Sequence, residues 1–384
     1  MNTSHIALIP TGIIRGLSSR LHRLFEKGQY PTFLLLSVTD RCNCRCAMCH
    51  IWQKKDIHDI SREEYKKIFK DSLWKKLQIL SLTGGEPFLR KDIDEVILDA
   101  VDTLPSLNRI STPTNGLTPE RIEEKVRKIM ENLPPDIVFK VGVSIDGLKE
   151  THDKLRGVPG AFEKATETVK RLKKVNFPNF EVGILSLITC TNVAQLNETH
   201  RAFRRLTDKI TYTLSTDAEF FGGQTEECRL DAPGIRERVI QFINRVLIPG
   251  YPEKSYLYHK YKDHLIKKRR TYPCLAGYRS SYIDSDGNLF PCHYLDNQFA
   301  LANVLDILSP EQKDKLIKYE TLEEAWFSGE ASKMRKRLKK HPYCLNCSNN
   351  CDSRNLIRED FWNFFAYLVT HPSVPVKALL KKRD

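Results

Sequence analysis

No run of apolar residues in this chain approaches the roughly 20 needed to cross a bilayer. Met1 to Pro10 carries neither the charged start nor the small-residue cleavage site of a secretory signal. Both absences point to a cytoplasmic protein. Internal repeats and low-complexity tracts are also missing, which excludes a solenoid or a linker-dominated chain. With 41% hydrophobic residues over 384 positions, there is enough apolar material for one large barrel plus a smaller module. Acidic residues are the scarcer charge, 48 against 61 Lys and Arg, for a net charge of +13. That excess suits an RNA, an anionic lipid surface or an acidic substrate, and equally a set of lysine-rich solvated faces. No RNA-binding motif accompanies it, which disfavours nucleic acid as a partner.

What the chain has in excess is cysteine. Eleven are present, and nine fall into two groups: Cys42, Cys44, Cys46 and Cys49, then Cys274, Cys292, Cys344, Cys347 and Cys351. A disulfide framework is disfavoured inside the cell, and short spacings point to metal. Cys190 and Cys228 stand apart; Cys190, in an apolar run, reads as a small buried residue. Cys42, Cys46 and Cys49 have the spacing Cys-x3-Cys-x2-Cys, directly after the strand-like stretch Phe33 to Val38. A zinc site would need a fourth protein ligand, for which Cys44 and His50 are near. A cubic iron–sulfur cluster on three thiolates would instead keep one iron open to a small chelating ligand.

Strand-like and helix-like segments alternate between residues 33 and 248. Strand candidates are Phe33–Thr39, Leu77–Thr83, Asn108–Thr112, Ile137–Asp146, Phe180–Ile188 and Ile210–Ser215. Ser61-Arg62-Glu63-Glu64 forms a capping box for one helix. Thr118-Pro119 opens a second, with Ile122, Val126, Ile129 and Leu133 on one face. A third carries Phe162, Ala165, Val169 and Leu172. Six β–α units in series predict an α/β protein with a parallel sheet covered by helices, as an open sheet or a partial barrel. Residues 249–273, rich in Tyr, Lys, Arg and Pro, read as a linker with a basic helix. From Cys274 the pattern changes to a short hairpin, Ser281 to Phe290, with Asp286-Gly287 at its turn. A helical segment, Thr321–Leu338, follows. Both ends are amphipathic and basic: Ile13, Leu17, Leu21 and Leu24 among arginines, and Phe361, Trp362, Phe364, Phe365 and Leu368 ahead of Lys377, Lys381, Lys382 and Arg383. Such ends can lie on a membrane surface or pack against the barrel.

Leu82-Thr83-Gly84-Gly85-Glu86-Pro87 closes the second strand, Thr114-Asn115-Gly116 follows the third, and Ser144-Ile145-Asp146-Gly147 ends the fourth. His152 to Gly157, containing Arg156, comes next. With the three-cysteine loop, in this order and at strand C-termini, these elements resemble the radical S-adenosylmethionine (SAM) enzymes, across about residues 31 to 360. The resemblance implies a partial (β/α)6 barrel over residues 31–248, behind an N-terminal extension of residues 1–30. It implies a 4Fe–4S cluster on Cys42, Cys46 and Cys49, with SAM on the open iron. One-electron reduction would cleave SAM to methionine and a 5′-deoxyadenosyl radical that takes hydrogen from the substrate. Gly84, Gly85 and Glu86 would receive the SAM amino group, Asn115, Ser144 and Asp146 would line its site, and Arg156 would pair with its carboxylate. Met48 stands where many members have an aromatic residue. Cys44 reads as a bystander facing away from the three thiolates.

Cys274, Gly287 and Cys292, followed by Cys344, Cys347 and Cys351, resemble the SPASM and Twitch extensions of that family. They imply a domain over residues 274–360, ahead of a tail at 361–384. The expectation is one auxiliary 4Fe–4S cluster on Cys274, Cys292, Cys344 and Cys347, with Cys351 able to replace one of the last pair. A zinc ribbon using His293 or His341 is the competing structure. A closed cluster suits electron transfer in an oxidation, so peptide maturation and small-molecule dehydrogenation lead, with a flavodoxin or ferredoxin as reductant. A membrane-surface enzyme on a lipid-like substrate, an RNA-modifying enzyme and a non-catalytic iron–sulfur or zinc protein are the alternatives. No catalytic acid or base is assigned; Asp217, Glu219, Tyr278 and His293 are open candidates.

Overall fold

The computed structural model describes Arg23, Phe25 and residues 27–215, 229–295, 297–308, 319–348 and 360–371. Asp217, Glu219, Cys228, Cys351 and the amphipathic stretch before Arg23 lie outside them.

Six strands form the centre: β1 (Phe33–Ser37), β2 (Ile79–Thr83), β3 (Arg109–Thr114), β4 (Val138–Ser144), β5 (Phe180–Ile188) and β6 (Ile210–Leu214). They lie side by side in chain order, all parallel. Their apolar runs have the composition of strands covered on both faces; Leu34, Leu36, Leu80, Leu82, Val141 and Val143 are fully buried. Between them run the principal helices α1 (Arg62–Phe69), α2 (Ile93–Thr103), α3 (Pro119–Asn132), α4 (Lys149–Arg156), α5 (Ala161–Leu172) and α6 (Leu196–Leu206). The capping box opens α1: Glu64 N donates to Ser61 Oγ at 3.3 Å, and Ser61 N donates to the Glu64 carboxylate at 2.7 Å. The apolar stripe of α3 is the one read from spacing, with Ile122, Val126 and Ile129 buried.

Beyond the six strands the sheet continues. β7 (Ser280–Ile283) and β8 (Asn288–Phe290) form the expected hairpin, and a two-residue β9 (Ala302–Asn303) extends it. β7 pairs in parallel with the outer edge of β1, from Phe33↔Ser280 to Leu36↔Ile283. The full order is β6-β5-β4-β3-β2-β1-β7-β8-β9. The barrel is therefore partial, because the edge of β1 that could close on β6 is taken by the hairpin between Cys274 and Cys292.

The segment expected to be a linker is packed structure. Its helix α8 (Ser255–Lys267), together with α7 (Ile235–Phe242) ahead of the segment, covers the β6 end of the sheet. Tyr256, Leu257, Tyr258, Tyr261 and Leu265 are buried, and Tyr212 N of β6 donates to Tyr258 Oη at 3.4 Å. Tyrosine and lysine made this stretch look polar, but rings and methylene stems bury well when the polar tip finds a partner. Lys260 shows how. Its Nζ lies 3.1 Å from the carboxylate of Asp360, both side chains being under 7% exposed. Asp360 also accepts from Tyr256 Oη at 2.7 Å. The helical segment 321–338 is in fact two helices, α9 (Leu322–Phe327) and α10 (Gly329–Lys340), broken at Ser328, whose hydroxyl caps the second by accepting from Ala331 N at 3.0 Å. A short α11 (Pro342–Asn346) follows, and α12 (Phe361–Thr370) docks on α8.

Removing one partner of a buried ion pair strands the other charge, at a cost of about 3 kcal/mol or more. Asp360→Ala leaves Lys260 buried and removes the acceptor of Tyr256, so its unfolding free energy from urea titration should fall by that amount while Asp360→Asn loses less.

Candidate functional site

The loop from Thr39 to Cys49 leaves the C-terminal end of β1 without regular secondary structure up to the turn at Ala47–Met48. Buried peptide groups need partners, and three neighbouring elements supply them. After β2, Gly85 N donates to Thr39 O at 2.7 Å and Glu86 N donates to Arg41 O at 2.8 Å. A Cβ on Gly84 would stand 2.1 Å from Thr39 O, and one on Gly85 2.2 Å from Arg41 O. The glycines are therefore required for close approach to the chain's own cysteine loop. After β3, Asn115 Nδ2 donates to Asn43 Oδ1 at 2.7 Å and lies 4.0 Å from Cys42 Sγ. At the end of α4, Arg45 N donates to Arg156 O at 2.9 Å and Ala47 N to Leu155 O at 3.0 Å. Gly157 caps that helix in the left-handed region, φ +65°, with Arg45 O 2.3 Å from where a Cβ would stand.

Several expected contacts of a ligand are made by the protein itself. Glu86 is buried, and its carboxylate accepts from Phe88 N (3.1 Å), the Thr114 hydroxyl (2.9 Å) and Asn115 N (2.6 Å). Burial lifts it to about 7, against the hydrogen bonds that favour its ionised form. It ties the ends of β2 and β3 together. Arg156 Nη2 lies 2.6 Å from Asp146 Oδ2, and its Nη1 is 3.9 Å from Cys46 Sγ. Asp146, buried, also accepts from Leu187 N at 2.8 Å, while its peptide N–H donates to His152 Nδ1 at 3.0 Å. Its peptide oxygen accepts from Asn192 Nδ2. Arg156 thus takes a carboxylate of the chain and faces the thiol of the cysteine loop. Ser144, partly exposed, ends β4.

Among the cysteines, Cys46 is lowered to about 6, mainly by a hydrogen bond from Cys44 and with help from the Arg156 guanidinium. Cys42 is likewise lowered by Cys44. Burial pushes Cys49 up to about 11. Cys44 does not face away as expected: its buried thiol hydrogen-bonds to both Cys42 and Cys46 and packs with Leu117 and Ala161. Cys190 also departs from expectation, being half-buried and disulfide-bonded, with its partner outside the described residues.

The distal cysteines gather beside the β7–β8 hairpin. Cys274 is raised by burial and by the charge of Cys292; Cys344 is pushed up to about 12 by burial and by the charges of Cys274 and Cys292. Both thiols sense the charge of Cys292, and Cys347 follows at the end of α11, half-buried. Sequence reading missed a link between the cysteine loop and the β7–β8 hairpin: Asp40, one residue before Arg41, accepts from Ser285 Oγ and from Lys54 Nζ (2.7 Å), and Lys54 Nζ also reaches Asp286 at 2.8 Å. Neither Asp40 nor Lys54 sits in a periodic pattern, so spacing could not reveal them.

Residues 36–205 match the model of the radical SAM superfamily, and residues 274–352 that of the SPASM iron–sulfur cluster-binding domain. The chain carries a radical SAM domain and a SPASM domain. It is 26% identical over 288 residues to the AdoMet-dependent heme synthase of Methanosarcina barkeri, covering 69% of this chain and 77% of that one. It is 26% identical over 286 residues to the sporulation killing factor maturation protein SkfB of Bacillus subtilis, covering 72% and 63%. The solved structure of native anSMEcpe with bound AdoMet and Cp18Cys peptide shares the fold, with a TM-score of 0.57 and 17% identity over 91% of this chain and 99% of that one.

These domains bring a SAM-binding 4Fe–4S cluster and SPASM-type auxiliary cluster binding. The residues fit both groups: thiols are the donor set that iron–sulfur clusters take, and two of the first three are already shifted toward the thiolate by their surroundings. Gly85→Ala forces a Cβ against Arg41 O and displaces the loop. Its iron content should fall from about eight to about four per chain, whereas Gly250→Ala, with open space around it, should keep all of it.

Proposed function

We propose that this radical SAM enzyme catalyses the net oxidation of a peptide substrate, with Cys42, Cys46 and Cys49 holding the SAM-binding cluster. Cys274, Cys292, Cys344 and Cys347 hold the auxiliary one, with Cys351 as a possible replacement in the last pair. When bound, the first cluster and SAM supply a 5′-deoxyadenosyl radical able to remove hydrogen from carbon. The chain's own part is placement. Gly84, Gly85, Asn115 and Gly157 seat the cysteine loop against the ends of β2, β3 and α4. Ser144, Asn115 and the Gly84–Glu86 backbone would line the SAM side. Arg156, neutralised in part by Asp146, offsets negative charge at the Cys46 sulfur. Glu86 and Asp146 act as positioning residues, since the chain's own donors occupy their carboxylates.

The observation that carries the oxidation is the parallel pairing of β7 with β1. It sets the hairpin that Cys274 and Cys292 flank beside β1, the strand that leads directly into the three-cysteine loop, in one continuous sheet. Four protein thiolates leave an auxiliary cluster no open iron, so that site suits electron acceptance better than substrate binding. A peptide substrate is supported by the likeness to SkfB, a maturation protein, and by the peptide bound in the anSMEcpe structure. The reductant is read as a flavodoxin or ferredoxin, the usual one-electron donors of this chemistry.

Anaerobic protein with SAM and dithionite should form 5′-deoxyadenosine, and fractions of the source cell that contain substrate should stimulate it. Protease treatment of those fractions should abolish the stimulation. Stimulation that survives protease would replace the peptide by a small molecule, and absence of SAM turnover would contradict the enzyme reading.

A further inference from the structure

Seven large apolar side chains are exposed among the described residues, and four of them share one edge of the molecule. Phe365 and Val369, 55% and 67% exposed, stand four residues apart on α12. Ile266 is 55% exposed at the end of α8, and Leu345, 48% exposed, accepts through its carbonyl from Arg270 N at 2.7 Å just beyond that helix. The two helices run in the same direction. Tyr256 meets Phe364 and Tyr367, while His259, one turn on, meets Tyr367 and His371. Ile266, seven residues after His259, therefore lies about 10 Å further along the same axis.

α12 is held so that this face stays outward. Phe364 and Tyr367 are buried on α8, and the Lys260–Asp360 pair fixes the start of the helix. None of its ten residues is charged. Basic side chains border the apolar strip instead: Lys267, Lys268 and Arg269 are exposed at the end of α8. In the sequence Lys377, Lys381, Lys382 and Arg383 follow the helix. The edge is also close to the chemistry. Lys254, just before α8, donates to Ile210 O at the start of β6, and Tyr258 meets Tyr212 further along. α8 thus packs along β6, and Leu345 lies between Cys344 and Cys347, in the distal cysteine group.

We propose that this edge docks on an anionic membrane surface. Phe365, Val369, Ile266 and Leu345 would enter the interface, and Lys267, Lys268 and Arg269 would meet lipid phosphates. An apolar strip without charge, edged by cations on a chain of net charge +13, matches an acidic bilayer better than a protein partner. Interfacial binding draws on both buried apolar area and attraction to anionic lipid.

The test is co-sedimentation of the full chain, loaded with its clusters, with phosphatidylcholine vesicles with and without phosphatidylglycerol. Binding should require phosphatidylglycerol and weaken with salt. Phe365→Glu combined with Val369→Glu should weaken it by about tenfold or more, and Lys267→Glu with Arg269→Glu should remove the preference for anionic vesicles. Both variants should keep wild-type iron content and circular dichroism. No binding by the wild type, or equal binding by the variants, overturns the proposal. So does a wild type that self-associates through this face, measured by sedimentation velocity, without touching vesicles.

Discussion

Everything at the centre of this molecule depends on the backbone hydrogen bonds that hold the Thr39–Cys49 loop. The loop carries four closely spaced thiols and almost no regular structure, so its shape must come from its neighbours. Carbonyls of Thr39 and Arg41 are taken by the peptide that follows β2, and amides of Arg45 and Ala47 by the last turn of α4. Asn115 reaches across to Asn43. The four backbone clamps bring chain against chain, and Gly84, Gly85 and Gly157 leave room for that approach. The glycines and the helix cap that look like ligand-binding motifs are thus, at this level, the means by which a parallel sheet holds an irregular loop still.

The second dependency is β1 itself. One edge of this strand carries β2 and the SAM half of the protein; the other carries β7 and the auxiliary half. Its end continues into the cysteine loop. Asp40, Lys54, Ser285 and Asp286 bridge the same gap with charge. A shift of the auxiliary module would therefore be felt where the first three thiols are placed. The two centres behave as parts of one sheet, and the partial closure of the barrel is a consequence of that shared strand.

Most of the barrel was legible in the chain. Strands β1 to β6 and the capping box at Ser61 follow from local periodicity and turn chemistry, which do not depend on distant partners. The cysteine spacings were equally legible, because loop length limits which thiols can meet. What could not be read was long-range. β7 was seen as half of a hairpin, while its parallel partner lies more than 240 residues earlier. Residues 249–273 looked polar because Tyr and Lys are counted by their tips, yet Tyr256, Tyr258 and Lys260 are buried by their rings and stems. Glu86, Asp146 and Arg156, read from the motifs as SAM contacts, also bond within the chain, and those long-range partners could not be read from sequence.

The central claim is that Cys42, Cys46 and Cys49 hold a cluster whose fourth iron is left for SAM. It is tested most directly by electron paramagnetic resonance of the reduced variant lacking Cys274 and Cys344, in which the first cluster is observed by itself. Addition of SAM should shift the g values and line shape of that signal, because the ligand enters the iron's coordination. A signal unchanged by saturating SAM, from protein that retains about four irons per chain, would contradict the account.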